Sequence, residues 1–171
     1  MRNLLIFPLL IASQFFCSII VNSMSYDTLG SFKHILRHRS WERGGSIYQK
    51  VFKIRAWKDY VPEMGRITPE KFSKRHVMST KAEYLEQFIL ESVRAELCHC
   101  FSLFLSIPIL TFVDTPFFKW ALVYVIFLNA PCIMIQRTNR PRLERILQHS
   151  IRCTETTEVI HEDIQQNKTK C

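Results

Sequence analysis

Three long apolar runs interrupt an otherwise polar chain, at about residues 4–24, 97–113 and 117–135. Each run is close to the roughly 17 to 25 residues that an α-helix needs to cross the hydrocarbon core of a bilayer. A soluble core would instead need apolar positions spread along the chain at helical or strand intervals. The pattern therefore predicts an all-α membrane protein with three membrane helices.

The first run belongs to residues 1–24, which begin with one basic residue, Arg2, and continue into apolar sequence. Signal peptides share this arrangement, but no clear small-residue cleavage pattern follows the run. We therefore expect a retained signal-anchor helix, with a cleaved signal peptide as the alternative.

The second and third runs make up residues 97–135 and are joined by an Asp-Thr-Pro sequence at 114–116. So short a link predicts a transmembrane helical hairpin, with the proline in the first turn of its second helix and the aspartate as its cap. Because the runs contain Pro108 and Pro131, a re-entrant hairpin buried against other helices is the alternative.

Basic residues are concentrated in the two polar segments, 25–96 and 136–171. Lys and Arg total 23 against 15 Asp and Glu, for a net charge of +8. Because Lys and Arg accumulate on the cytoplasmic side of membrane proteins, we expect both segments in the cytoplasm and the protein in the cell membrane. The charge suits anionic lipid or a phosphorylated substrate. Nucleic acid is not an expected partner, since no recognised reading module surrounds the basic residues.

Within the first polar segment, the sequence SIYQKVFKIRAWKDY places Tyr48, Val51, Phe52 and Arg55 at helical spacing. This predicts an amphipathic helix on the lipid surface, with its aromatic groups in the headgroup layer. A part-buried helix in a small cytosolic subdomain is the alternative. At the other end of the chain, the tail beyond residue 154 is polar and is expected to be loosely ordered.

A carboxylate and an imidazole fall on one apolar helix face before the hairpin. The sequence KAEYLEQFILESVRAELCH enters the second apolar run without Gly or Pro, which predicts one continuous helix. Glu96 shares a face with Leu85 and Ile89, and His99 follows one turn later. The pair could be held ready for proton transfer, with His99 as general base and Glu96 orienting it. The alternative is an ion pair between Glu96 and an arginine, with His99 satisfying a backbone carbonyl.

Polar side chains crowd the end of the third run, in the sequence NAPCIMIQRTNRPRLERIL. Arginine at a helix end first anchors the helix, but this cluster adds amides and could bind a phosphate, a carboxylate or a sugar. The predicted substrate-binding residues are Arg94, Asn129, Gln136, Arg137, Asn139, Arg140 and Arg142. Arg94, Arg137 and Arg140 are also the possible ion-pair partners of Glu96.

Two further features concern possible chemistry. His76, in FSKRHVMST, is a second candidate acid or base, with a solvated loop histidine as the alternative. Cys98 and Cys100 flank His99, but no second Cys or His pair follows at zinc spacing, so no metal site is expected,.

The sequence RAELCH, the apolar hairpin and NAPCIMIQRTNRPRL resemble the glycosyl-4,4'-diaponeurosporenoate acyltransferase family. FKIRAWKDYVPEMG and KRHVMST are similar too, in the same order, so the resemblance covers about residues 40–143. Members of that family are small membrane proteins that esterify a fatty acid onto the sugar of a glycosylated carotenoid in staphyloxanthin-type pigment biosynthesis. The resemblance therefore implies an acyltransferase acting on a glycosyl group.

The resemblance implies a glycosylated carotenoid or related glycolipid as acceptor and an activated fatty acyl donor as co-substrate, with no other cofactor. We expect acyl transfer at the cytoplasmic membrane boundary, with His99 or His76 as the base. Arg137, Asn139 or Arg140 would stabilise the oxyanion or hold the phosphate of the donor. Because no nucleophile motif such as G-x-S-x-G occurs, a non-catalytic lipid-binding or complex-assembly protein is the alternative,.

Overall fold

The fold was analysed in a computed structural model that describes residues 2–61 and 81–169. The described residues are almost entirely helical and contain no strand. Their helices are α1 (Arg2–Asn22), α2 (Tyr26–Ile35), α3 (Ser46–Phe52), α4 (Ile54–Trp57), α5 (Ala82–Thr111) and α6 (Thr115–Thr169). Short 3-10 turns lie at Ser40–Gly45 and Lys58–Tyr60. The all-α prediction is confirmed.

In the part of the chain that the structure describes, three helices are long and apolar enough to cross a membrane: Leu5–Asn22 of α1, all of α5, and Pro116–Thr156 of α6. Large apolar side chains on these helices, such as Phe104, Trp120 and Phe127, are exposed. Exposure of this kind over whole helix faces is expected where lipid replaces water as the solvent. The helices predicted from the three apolar runs are therefore present.

The three long helices pack side by side, and α1 and α6 each run antiparallel to α5. Near the hairpin tip, Ile6 and Leu10 of α1 form a buried cluster with Leu110 of α5 and Val125 of α6. At the opposite end, Val21 of α1 joins a second cluster, completed by residues of α2 and α5: Leu29, Val93 and Leu97. Further along the hairpin, α5 and α6 pack alone through Leu85, Phe88, Ile89, Leu143 and Leu147.

Residues 46–60 do not form the single amphipathic helix that their spacing predicts. Helix α3 ends at Phe52 because Lys53 adopts a left-handed conformation with φ 48°, and α4 then begins at Ile54. Two side chains stabilise the break: the Gln49 Oε1 accepts from the Arg55 N–H at 2.9 Å, and the indole of Trp57 donates to the Phe52 carbonyl at 2.8 Å. The segment is therefore two short helices separated by a break at Lys53.

Helix α6 continues far beyond the apolar run and ends at Thr169. The expectation of a loosely ordered tail after residue 154 was wrong. A helix that is already formed extends by adding one hydrogen bond per residue, without a new nucleation cost. The tail also lacks Gly and Pro, the residues that would stop it,.

Candidate functional site

Glu96 lies on the buried face of α5 that the sequence predicted, beside Leu85, Ile89 and Val93. Its side chain is 0% exposed, and both carboxylate oxygens are paired. Oε1 accepts from the Arg137 Nε at 2.7 Å, and Oε2 accepts from Nη2 of Arg140. The structure therefore shows ion pairs between Glu96 and two arginines, Arg137 and Arg140. An ion pair of this kind was the alternative to a Glu96–His99 pair.

Glu42 supplies a second buried carboxylate, which the sequence analysis did not identify. It accepts from the Tyr48 hydroxyl at 2.6 Å, from the Arg39 N–H at 2.8 Å and from Nη1 of Arg137. Burial alone would raise the pKa of Glu42, but these hydrogen bonds and the charge of Arg137 lower it below its usual value,. Glu42, Glu96, Arg137 and Arg140 form one buried cluster, called here the carboxylate–arginine cluster.

Gly45 lets the turn that carries Glu42 reach the backbone of α6. It adopts φ 83°, and a Cβ added there would lie 2.7 Å from the Arg137 carbonyl oxygen. That carbonyl faces Pro141 along the helix, and proline has no N–H to donate to it. The Gly-Gly pair at residues 44 and 45 was the one sequence signal for this turn, since glycine favours left-handed backbone,.

The two arginines of the cluster differ in how many of their hydrogen-bond donors the protein already uses. Arg140 is 1% exposed; its guanidinium also donates to the Ser92 Oγ at 2.9 Å, the Ser92 carbonyl at 3.3 Å and the Leu36 carbonyl at 3.2 Å. Arg137 is 19% exposed, and its described hydrogen bonds use Nε and Nη1 only. Arg140 is thus committed to holding α2, α5 and α6 together, whereas Arg137 retains an accessible edge.

His99 pairs with an amide on the facing helix. Its Nδ1 lies 3.0 Å from the Asn129 Oδ1, while the Asn129 Nδ2 donates to the Val125 carbonyl at 2.9 Å. Because that second bond turns the amide oxygen towards His99, Nδ1 must carry the proton in this contact. In a neutral imidazole with this tautomer, Nε2 is the nitrogen that carries the lone pair. Asn129, rather than Glu96, makes the orienting hydrogen bond that the described contacts show.

An apolar groove lies between α5 and α6 on the tip side of the His99–Asn129 pair. Its volume is about 410 Å³, and it is lined by Cys100, Leu103, Phe104, Ile107, Leu110, Leu122, Val125 and Ile126. Cys100 follows His99 directly, and Val125 lies one turn before Asn129. The His99–Asn129 pair is therefore next to the groove along both helices, although neither side chain lines it, and the lining side chains carry only thiol and hydrocarbon groups.

The predicted substrate-binding residues do not lie on one surface. Arg94 donates to the Asn22 carbonyl at 3.1 Å and lies 5.3 Å from the centre of the Tyr26 ring, at the junction of α1 and α2. It also pairs with Glu91, one turn earlier on α5, at 3.4 Å. Asn139 and Arg142 line a different cavity, on the outer side of α6. Gln136 is part-buried on α6, and His76 lies outside the described residues.

His38 is a further imidazole that the sequence analysis did not identify. Its Nδ1 lies 3.0 Å from the Glu42 Oε2, although neither ring nitrogen makes an aligned hydrogen bond within the described part of the chain. Burial lowers the pKa of His38, against the opposing effect of the Glu42 charge, and favours the neutral ring,. Within residues 2–61 and 81–156, no three His, Cys, Asp or Glu side chains group together as metal ligands would.

The chain is similar to proteins with a known name. The family model described as glycosyl-4,4'-diaponeurosporenoate acyltransferase matches residues 32–149. A relative of that name from Staphylococcus haemolyticus is 40% identical over 122 residues, which is 69% of this chain and 68% of the relative. One from Staphylococcus aureus is 30% identical over 151 residues, 81% of this chain and 90% of the relative. No solved structure matches. The matched span contains the carboxylate–arginine cluster and the His99–Asn129 pair, and the matches confirm the resemblance seen in the sequence.

Proposed function

The chain belongs to the glycosyl-4,4'-diaponeurosporenoate acyltransferase family, and from this premise we propose that it esterifies a fatty acyl group onto a sugar hydroxyl of a glycosylated carotenoid or related glycolipid. The observation that supports the proposal is the part-buried His99–Asn129 pair beside the apolar groove. A base at this position would lie where a hydrocarbon chain and a sugar headgroup meet.

His99 is the proposed general base. Nε2 accepts the proton of the sugar hydroxyl while the hydroxyl oxygen forms a bond to the acyl carbonyl carbon. The tetrahedral intermediate then collapses, the bond between the acyl carbon and the donor's leaving group breaks, and the imidazolium returns the proton to that leaving group. Asn129 holds Nδ1 throughout, so Nε2 is the nitrogen that would take the proton.

Arg137 is the proposed stabiliser of the oxyanion. Its Nη2 makes no hydrogen bond within the described part of the chain, and the side chain is 19% exposed. The carboxylates of Glu42 and Glu96 hold Nε and Nη1, so the guanidinium is preorganised and needs no rearrangement when negative charge develops. Arg140 is a positioning residue, because its donors are already used by the protein.

The apolar groove is the proposed site for a hydrocarbon chain of one substrate. It extends from Cys100 to Leu110 along α5, a distance of about 15 Å at 1.5 Å per residue. The second hydrocarbon chain would remain in the surrounding lipid. By the distribution of Lys and Arg, the end of the bundle that carries His99 and Arg137 faces the cytoplasm, the compartment in which activated acyl donors are made.

An activity assay with purified protein tests the proposal. The protein in lipid nanodiscs is incubated with a fatty acyl thioester and a glycosylated carotenoid, and the products are weighed by mass spectrometry. We expect a product heavier than the acceptor by one acyl group less one hydrogen. Binding of the glycosylated carotenoid without any such product, from several thioester donors, would instead support the non-catalytic lipid-binding alternative.

A further inference from the structure

A second cavity lies on the outer side of α6, where the 43–58 segment folds against it. Its volume is about 490 Å³. Six cationic side chains line it: Arg43, Lys50, Arg55, Lys58, Arg142 and Arg145. No carboxylate is among its described lining residues, and none of the six forms an ion pair with a described Asp or Glu. We call it the basic cavity.

The contrast with the carboxylate–arginine cluster shows that these cations do not stabilise the fold by pairing. Arg137 and Arg140 face two carboxylates. At 100° per residue, Thr138 and Arg142 point roughly 160° away from Arg140 around the helix. The same turn of α6 therefore carries a neutralised buried face and an unneutralised outer face. Six like charges around one cavity repel each other unless an anion occupies it.

The lining identifies the chemical class of that anion. Guanidinium groups bind phosphate through paired, parallel hydrogen bonds, and ammonium groups add point charges. Arg43 is held at φ 48°, a conformation uncommon for a residue with a side chain,, and it lines the cavity with the backbone of Gly44 and Gly45. A cavity of this volume falls within the range of about 300 to 1,000 Å³ that holds small-molecule ligands, so it has room for more than a single phosphate.

We propose that the basic cavity binds a phosphate-bearing ligand through Arg43, Arg55, Lys58 and Arg142. Two ligands share this chemistry. One is the phosphorylated part of an acyl thioester such as acyl coenzyme A, and this version rests on the proposed acyl transfer. The other is the headgroup of an anionic phospholipid, which the exposed Trp41, Val51 and Phe52 near the cavity would bring within reach,.

If the ligand is the acyl donor, its arm must reach from the basic cavity to the proposed base, His99, along α6. Thr138 and Arg142 are nine and thirteen residues beyond Asn129, or about 14 to 20 Å at 1.5 Å per residue. Because the cavity is on the outer side of the helix, the arm of the donor must also pass around its flank. The extended pantetheine arm of coenzyme A is of this order of length.

Binding to a cavity variant and a matched control tests the proposal. The variant is Arg55→Ala/Arg142→Ala, which removes two exposed arginines from the cavity. The control is Arg37→Ala/Arg152→Ala, which removes two exposed arginines elsewhere, also one before α5 and one on α6. Protein in neutral detergent is titrated with coenzyme A, and with pantetheine, which lacks the phosphates. In separate nanodiscs, the number of bound lipids is compared between phosphatidylglycerol and phosphatidylcholine by native mass spectrometry.

Hydrogen bonds to charged groups contribute about 1.5 to 3 kcal/mol each, so the cavity variant should bind its phosphate ligand at least about ten-fold more weakly than the control. Binding of coenzyme A but not pantetheine, lost in the variant, identifies the donor. Retention of phosphatidylglycerol alone, lost in the variant, identifies the headgroup. Equal binding of every phosphate ligand by variant and control would overturn the proposal. Phosphate binding by a protein without transferase activity would leave the cavity in place and contradict the proposed function only.

Discussion

Replacing Glu96 with alanine removes the carboxylate that faces both Arg137 and Arg140. Arg137 would keep Glu42 as a partner. Arg140, at 1% exposure, would become a buried guanidinium with hydrogen bonds to carbonyls and a hydroxyl but no counter-charge. Breaking a buried pair in this way costs about 3 to 5 kcal/mol, so we expect the free energy of unfolding of Glu96→Ala to fall by about that amount.

The assay is reversible unfolding in mixed micelles, with helix content followed by circular dichroism as the fraction of dodecyl sulfate increases. Glu86→Ala is the matched control, because Glu86 is an exposed carboxylate on the same helix. Exposed substitutions of this kind change stability by within about 0.5 kcal/mol. A second variant, Glu96→Ala/Arg140→Leu, removes both members of the most buried pair and should recover part of the loss, since an apolar replacement of a buried pair is often close to neutral.

A free energy of unfolding of Glu96→Ala within about 0.5 kcal/mol of that of Glu86→Ala would refute this role of the carboxylate. That result would mean that Arg140 reaches water or lipid phosphate and is not held in a closed cluster. A double variant less stable than Glu96→Ala alone would likewise contradict the view that the uncompensated guanidinium causes the loss.

Three further predictions concern the same end of the bundle. Gly45→Ala should destabilise the fold by about 1 to 3 kcal/mol in the same assay, because it combines a left-handed backbone with a contact 2.7 Å from the Arg137 carbonyl,. Gly44→Ala, with φ 62° and open space around its Cα, should lose less, and equal losses would contradict the close packing. Burial and the adjacent Glu42 carboxylate raise the pKa of Tyr48 to about 12. The hydrogen bond from the protonated Tyr48 to Glu42 therefore stabilises the fold fully below about pH 10 and is lost as the pH rises through about 12. Tyrosinate absorbance should show one late-titrating group that Tyr48→Phe removes, and an unchanged titration would reject the Tyr48–Glu42 bond. Finally, because α1 completes two buried clusters, the intact mass of the membrane-extracted protein should include α1; a mass lacking residues 1–24 would show that this helix is a cleaved leader.

Local pattern was sufficient for the long helices and for one residue of the cluster. The apolar runs of α1, α5 and α6 are long enough to be recognised as helices from the sequence alone. The helical spacing of Leu85, Ile89 and Val93 also places Glu96 on the buried side of α5 without any tertiary information. A carboxylate on such a face needs a partner, which is why an ion pair with an arginine could be stated as an alternative before the fold was known.

Partners distant in sequence could not be identified in this way. Glu42 and Arg137 are 95 residues apart, and nothing in the local sequence of the 3-10 turn indicates which helix it contacts. The clustered arginines of α6 were grouped by composition, although the helix turns Arg142 about 160° away from Arg140. The break at Lys53 was also missed, since a left-handed lysine runs against backbone propensity and is stabilised here by the side chains of Gln49 and Trp57,.

The most direct test of the account compares turnover of single histidine variants in nanodiscs under saturating donor. His99→Gln removes the proposed base, His38→Gln removes the imidazole beside Glu42, and His149→Gln removes an exposed histidine of α6 as the control. We predict that His99→Gln loses about two to four orders of magnitude in kcat, while the control keeps the rate of the unmodified protein. Near-normal turnover by a folded His99→Gln variant, together with loss of turnover in His38→Gln, would contradict the account and move the base to the carboxylate–arginine cluster.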